Sequence, residues 1–199
     1  MWRLAVLSLA LVLATEAKFS WKQCGGSKVK VSSISASNPV SFPGSMTLSF
    51  DAEILSQVDD VDLKLTIKRK TGGLFGIYVW LTLPCLSDVG SCTYKDACHI
   101  MDRSTAEGAS AGIKSVATQV KEMLNGAGPS AFSLSCPSAP RKLSVGPYQL
   151  NLPKPDAGAV GNVITSLFGS SDYDVTAQLV SPSSGEVYAC VNFITSVKM

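Results

Sequence analysis

Apolar residues recur at every second position in several separate segments, and this alternation restricts the chain to sheet architectures. Val61, Leu63, Leu65 and Ile67 share one face of a strand whose other face carries Asp62, Lys64 and Thr66. That is the period of two imposed by a half-buried strand. Met46, Leu48, Phe50, Ala52 and Ile54 repeat it, and Val29 to Ile34 follows it more loosely. Tyr173 to Leu179 and Val187 to Val197 make two further runs, joined by Ser181-Pro-Ser-Ser-Gly185, a composition that predicts a hairpin turn. Tyr148 to Leu152 is a shorter strand candidate, ending before Pro153-Lys-Pro155, and Leu74 to Leu83 is apolar on both faces for most of its length. Short strands separated by Pro/Gly turns predict an all-β protein, an antiparallel β-sandwich or β-cup.

One stretch leaves this rhythm. Between Thr105 and Leu124, Ile113, Val116, Ala117, Val120, Met123 and Leu124 follow helical spacing, with Lys114, Lys121 and Glu122 off the stripe. Asn125-Gly126 supplies a stop. A single helical insert is expected, its stripe packed on the sheets, adjusting specificity without carrying the fold. The first seventeen residues read differently: Arg3, the eleven-residue run Leu4 to Ala14 and the small Ala17 form a signal-peptide pattern. The run is too short to span a bilayer, and no later stretch approaches the twenty apolar residues a spanning helix needs. The expectation is a leader over 1–17 and one domain over 18–199, exported to the lysosomal lumen or the extracellular space.

Charge and chemistry narrow the function. Seventeen Lys and Arg against fifteen Asp and Glu give a net charge of +2, which lacks the basic excess of a nucleic-acid binder. Charged residues are 16 % and apolar residues 46 %, the balance of a chain with a core. A single histidine, His99, precludes a multi-histidine metal site, and it reads as a surface or hydrogen-bonded side chain. Asp59, Asp60 and Asp62 read as a solvated turn. There is no G-x-S-x-G elbow, P-loop or G-x-G-x-x-G, so no enzyme is expected. Six cysteines (Cys24, Cys85, Cys92, Cys98, Cys136 and Cys190) all follow the leader. With no C-x-x-C pair, three disulfides are expected; spacing leaves fifteen connectivities open.

Two segments place apolar residues where loops should be wet. Gly72-Gly-Leu-Phe-Gly-Ile-Tyr sets Leu74 and Phe75 among glycines, and 157–169 carries Val160, Val163, Ile164, Leu167 and Phe168. Such residues either plug the end of an ordinary core, the second as a short helix, or rim a lipid-accepting cavity. The pattern fits both.

Motifs around the cysteines separate these readings. Phe19-Ser-Trp-Lys-Gln-Cys24, Pro43-Gly-Ser-Met-Thr-Leu-Ser49, Trp80-Leu-Thr-Leu-Pro-Cys85 and Gly90-Ser-Cys-Thr-Tyr-Lys-Asp-Ala-Cys98 resemble, in order and spacing, the ganglioside activator family of lysosomal sphingolipid activators. So does the run from Tyr173 to Cys190. The resemblance implies a β-cup with an apolar lipid cavity, closed by the pairs Cys24–Cys190, Cys85–Cys92 and Cys98–Cys136. It implies lipid contacts from Leu74, Phe75 and Trp80 on one apolar loop and Val163, Ile164, Leu167 and Phe168 on another. The implied function is extraction of a ganglioside-like lipid from a membrane surface, approached peripherally, and its presentation to a soluble glycosidase such as β-hexosaminidase. The chain would then be an activator without catalysis of its own, needing no cofactor beyond a bound glycosphingolipid or phospholipid. The alternative is a secreted carrier of lipids or other hydrophobes with no enzyme partner. Two departures stand out: six cysteines where the family usually has eight, and the helical stretch that lengthens the segment from Cys98 to Cys136.

Overall fold

The computed structural model describes residues 19–72, 77–86, 88–107, 111–126, 136–154 and 169–199. The alternating segments become strands: β1 (Ser20–Gly25), β2 (Val29–Ala36), β3 (Val40–Ser41), β4 (Gly44–Ile54), β5 (Asp62–Gly72), β6 (Tyr78–Thr82) and β7 (Thr93–Tyr94). A short 3-10 turn over Ala97–His99 leads into α1 (Ile100–Thr105) and α2 (Ala111–Asn125), and β8 (Arg141–Leu152), β9 (Ser171–Val180) and β10 (Val187–Lys198) follow. The larger sheet runs β1-β10-β9-β5-β6, with β3 on β10 and β7 on β5, and the smaller is β2-β4-β8. All main pairings are antiparallel; β3 alone joins its neighbour in parallel, at Val197 and Val40. The architecture is the all-β sandwich or cup expected from the alternation, with a small helical insert and three disulfides.

Local chemistry explains most of the boundaries. Between β9 and β10 the Ser181 amide donates to Glu186 O and the Gly185 amide to Ser181 O, both at 2.9 Å. Gly185 has φ +73°, the left-handed region where a glycine is least strained. β8 is longer than the sequence suggests because Pro147 does not end it. Leu48 pairs with Tyr148 and Phe50 with Val145, so Gly146 and Pro147 together face Ser49 in a bulge that removes the need for a ladder donor.

The insert is two helices rather than one. Ala106 leaves helical geometry (φ −67°, ψ 168°) and ends α1, and α2 begins at Ala111. Its stripe is narrower than expected: Ala117, Met123 and Leu124 are buried, while Ile113 is exposed. Met123 and Leu124 pack with Val145 of β8, flanked by Leu48, Phe50, Leu143 and Tyr148. A second cluster joins Ile54, Val58, Val61, Ala97, Cys98 and Tyr188. Disulfides link Cys24 to Cys190, Cys85 to Cys92 and Cys98 to Cys136. The first staples the paired strands β1 and β10.

Asp62 departs from the solvated turn expected of it. The residue is only 3 % exposed. Its carboxylate receives Lys95 Nζ at 2.6 Å and the Asp96 amide at 3.0 Å, so the charge is covered by the loop that follows β7. The Lys95 hydrogen bond holds this carboxyl below the ordinary carboxylate range, against the opposing effect of burial.

Candidate functional site

Cross-strand register assembles one apolar face from three strands. Leu63 stands opposite Leu179, Leu65 opposite Ala177 and Ile67 opposite Val175, and β10 extends these rows with Ala189, Val191 and Phe193. Alternation sends the intervening residues to the far face, where Asn192 Nδ2 bridges Asp174, Val175 O and Thr176 Oγ1. The smaller sheet turns Val29, Phe50, Ile54 and Leu143 toward the same space.

The two faces leave a cavity of about 330 Å³ between them, within the size range of small-molecule sites. Leu63 and Leu179 form one wall, the smaller sheet the other, and Val58, Val61, Ala97, Ile100, Leu124 and the Cys98–Cys136 bridge close one end. Ser138 is the one polar residue among the described lining, and its backbone is tied to Val58 in both directions at 2.8 and 3.0 Å. Ile54, Val58, Val61, Ala97 and Cys98 are buried, whereas Val29, Leu63, Leu143 and Leu179 remain half-buried. The hollow is therefore closed at the disulfide end and accessible along its walls. Such a lining offers almost nothing to a polar solute. It suits hydrocarbon, which gains about 0.8 kcal/mol for each CH₂ removed from water.

A polar network braces the closed end without entering it. Asp96, at φ +52°, accepts His99 Nδ1 at 2.9 Å and Arg103 NH1 at 3.3 Å, and Arg103 NH2 donates to Asp96 O at 3.0 Å. The hydrogen bond from His99 lowers the Asp96 pKa. With the Asp62 contacts, these bonds fix Ala97 and Cys98, which line the cavity. His99 is exposed and bonded outside the hollow, and among the described residues no group of His, Cys, Asp or Glu is arranged to hold a metal.

Of the lipid-contact residues expected from sequence, Trp80 lies in β6, opposite Lys70 and on the face turned away from the cavity, 41 % exposed. Leu74, Phe75, Val163, Ile164, Leu167 and Phe168 lie outside the described residues. Trp80 belongs to a continuous exposed apolar run, Ile77 to Leu81, on the edge strand of the larger sheet. Val29, Phe50, Ile54, Val61, Leu63 and Leu179 are visible in the sequence only as ordinary alternating core, and Val58, Ala97 and Ile100 carry no pattern that marks them. Leu143 was missed because β8 was read from Tyr148 onward. Among the described residues, no helix is long and apolar enough to cross a membrane.

No protein-family model matches the chain. It is 27 % identical to a ganglioside GM2 activator from Macaca fascicularis over 111 residues, 49 % of this chain and 55 % of that protein. It is 25 % identical to a ganglioside GM2 activator from Mus musculus over 96 residues, 46 % of this chain and 47 % of that protein. The chain thus spans about half the length of these relatives. A Niemann-Pick type C2 protein from the Japanese carpenter ant superposes over 90 % of this chain and 99 % of its own, with 12 % identity and a TM-score of 0.39, too loose a likeness to bear on function.

Proposed function

We propose that this protein binds and transfers lipid and performs no catalysis of its own. The observation that carries the reading is the hydrocarbon-lined hollow between the sheets, closed at the Cys98–Cys136 end. Similarity to two ganglioside GM2 activators supports a ganglioside-like lipid as ligand and a soluble glycosidase, such as β-hexosaminidase, as the enzyme served. In this reading the leader over 1–17 directs export to the lysosomal lumen or extracellular space, and 18–199 acts as one domain. The apolar run from Ile77 to Leu81, which includes Trp80, touches the membrane interface, where an indole ring is favoured. Leu74, Phe75, Val163, Ile164, Leu167 and Phe168 complete the lipid-contacting rim.

A second reading, a secreted carrier with no enzyme partner, is favoured by α2, which lies beside the cup and covers part of the smaller sheet. Native mass spectrometry of the purified protein, followed by ganglioside transfer between vesicles, tests the common part. Co-purified lipid or measurable transfer is expected; a protein that holds none and moves none overturns it. Ganglioside hydrolysis by β-hexosaminidase, with and without the protein, separates the two. Stimulation supports the activator, and unchanged hydrolysis alongside intact transfer supports the carrier.

A further inference from the structure

β6 pairs with β5 and ends the larger sheet. Its main chain shows which groups lie on the free side. The Leu83 amide donates to Ile67 O at 2.8 Å, and Thr71 Oγ1 donates to Val79 O at 3.4 Å. A Cβ on Gly72 would lie 2.7 Å from Ile77 O. Ile77, Val79 and Leu83 thus turn main-chain groups toward β5. This direction alternates along an antiparallel strand, so the amides and carbonyls of Tyr78 and Trp80 point to the open edge. Among the described residues, no further strand joins them there. The usual guards of an edge are missing too: Ile77 to Leu81 contains no proline and no charge, and β6 pairs with β5 in unbroken register. The cation beside Trp80 is engaged within the sheet, since Lys70 Nζ lies 3.2 Å from Asp172 Oδ2 and 4.7 Å from the centre of the Tyr78 ring.

The order of side chains selects what the edge can accept. Ile77-Tyr-Val-Trp-Leu81 reads the same in both directions by chemical class: aliphatic, aromatic, aliphatic, aromatic, aliphatic. Antiparallel pairing about a two-fold axis at Val79 sets Tyr78 opposite Trp80 of a second copy, and Ile77 opposite its Leu81. Aromatic pairs of this kind stabilise sheets. The same register makes Tyr78 and Trp80 hydrogen-bonded positions, so all their edge amides and carbonyls find partners, while Val79 faces its own copy on the axis. An axis at Trp80 would keep the hydrogen bonding but set Tyr78 opposite Thr82. A lipid surface accommodates the side chains yet offers these amides and carbonyls no partner in its hydrocarbon, where leaving them unpaired is costly. A second strand satisfies both.

We infer that β6 is an interface with a second copy of this chain, joined edge to edge and antiparallel about a two-fold axis at Val79. The larger sheets run on continuously through the dimer. An axis normal to the sheet keeps like faces on one side, so Tyr78 and Trp80 of both copies form one row of aromatic rings. In the lipid-binding reading above, that row doubles the apolar surface offered to a membrane, but the pairing itself does not depend on that reading. A run this short covers less than the ~800 Å² per partner of a standard interface, so the dimer is weak and concentration-dependent.

The test is sedimentation of the full mature chain, without vesicles, from micromolar to hundred-micromolar concentration. Wild type should shift from monomer toward dimer across that range. Val79 is half-exposed, so charge is tolerated there in the monomer. Val79→Lys and Val79→Glu each set like charges face to face on the axis and should weaken association by roughly tenfold or more. Mixing the two variants sets opposite charges face to face and should restore the dimer, which a misfolded variant would not do. The register is read by crosslinking after mild oxidation. Val79→Cys brings two Cα atoms to about 4.5 Å, within disulfide reach, and should give a covalent dimer. Leu81→Cys should not, because Ile77 stands opposite it. A chain that stays monomeric throughout overturns the interface. So does association that survives both charges, or is not restored by mixing, or crosslinks equally through Leu81→Cys. Vesicle binding lost in Val79→Lys by a wholly monomeric chain assigns the run to a membrane and overturns the dimer. Any of these failures leaves lipid binding standing, and a dimer that transfers no lipid overturns lipid binding alone.

Discussion

β8 and β6 are both edge strands, and the protein treats them in opposite ways. Beside β8 lies α2, whose Gln119 side chain takes the place of a neighbouring strand. Its Nε2 donates to Asn151 O at 2.9 Å and its Oε1 accepts the Asn151 amide at 2.7 Å, while Met123 and Leu124 bury Val145. β6 has no such cover among the described residues: Ile77, Tyr78, Val79, Trp80 and Leu81 are all exposed. An open apolar edge invites aggregation, and proteins usually shield it. This chain possesses a shielding device and uses it on the smaller sheet. The bareness of β6 among the described residues therefore fits a working surface better than a fold unable to protect its edges.

The largest expected effect concerns a third edge, β1, which is secured covalently. Replacing Cys24 and Cys190 with serine should cost about 5 kcal/mol by the chain-entropy model for a separation of 166 residues, against about 2.5 kcal/mol for Cys85 and Cys92, separated by 7. Urea titrations check the order, and a larger loss at Cys85–Cys92 would break it. Next, Met123→Ala should destabilise by about 2–5 kcal/mol, because its side chain is packed between helix and sheet. A loss below about 0.5 kcal/mol would return α2 to the dispensable insert expected from sequence, and the contrast between the edges would collapse.

Asp62 controls how the first half of β5 is covered, since its partners belong to the loop following β7. Asp62→Asn should cost about 1.5–3 kcal/mol near neutral pH. The folded-state pKa is depressed, so the charge stabilises the fold above the unfolded value of about 4 and loses that effect as pH falls through the lower folded value. Thermal melts should show the gap between wild type and variant intact at pH 5 and closing below about pH 4. A gap that widens on acidification would contradict the assignment. Smaller still, Gln119→Ala should cost about 1 kcal/mol and expose the Asn151 backbone, read as faster amide exchange there. Trp80→Ser should change stability by no more than about 0.5 kcal/mol yet weaken vesicle binding clearly. Normal vesicle binding by that variant would reduce β6 to an unprotected edge.

The sheet architecture was legible because its strands obey a period of two with little interruption: Val61 to Ile67 and Tyr173 to Leu179 pair with one another as their patterns require. What escaped notice depended on partners distant in sequence. The extension of β8 back to Arg141 depends on Ser49, which Gly146 and Pro147 face together across a bulge, and Asp62 looked solvated because Lys95 and the Asp96 amide arrive from beyond the next two strands. Ile113 matched the helical stripe yet faces solvent, since spacing defines a face without saying how far a neighbour extends over it. The walls of the cavity shared their signature with any core. A hollow and a packed interior use the same residue types and differ only in how far apart the sheets stand.

The bond between Cys24 and Cys190 also bears on how the molecule withstands proteolysis. Because it joins positions separated by 166 residues, hydrolysis of any single peptide bond between them leaves both pieces in one covalent molecule. A clip in the segment from Cys98 to Cys136 is enclosed a second time, by the bridge between those residues. Antiparallel β1 and β10 would hold the outer ends in register across the bond while an inner loop lay open. The molecule is thus wired to tolerate a nick: limited digestion should give two or more bands on a reducing gel and one on a non-reducing gel, with the two sheets still assembled.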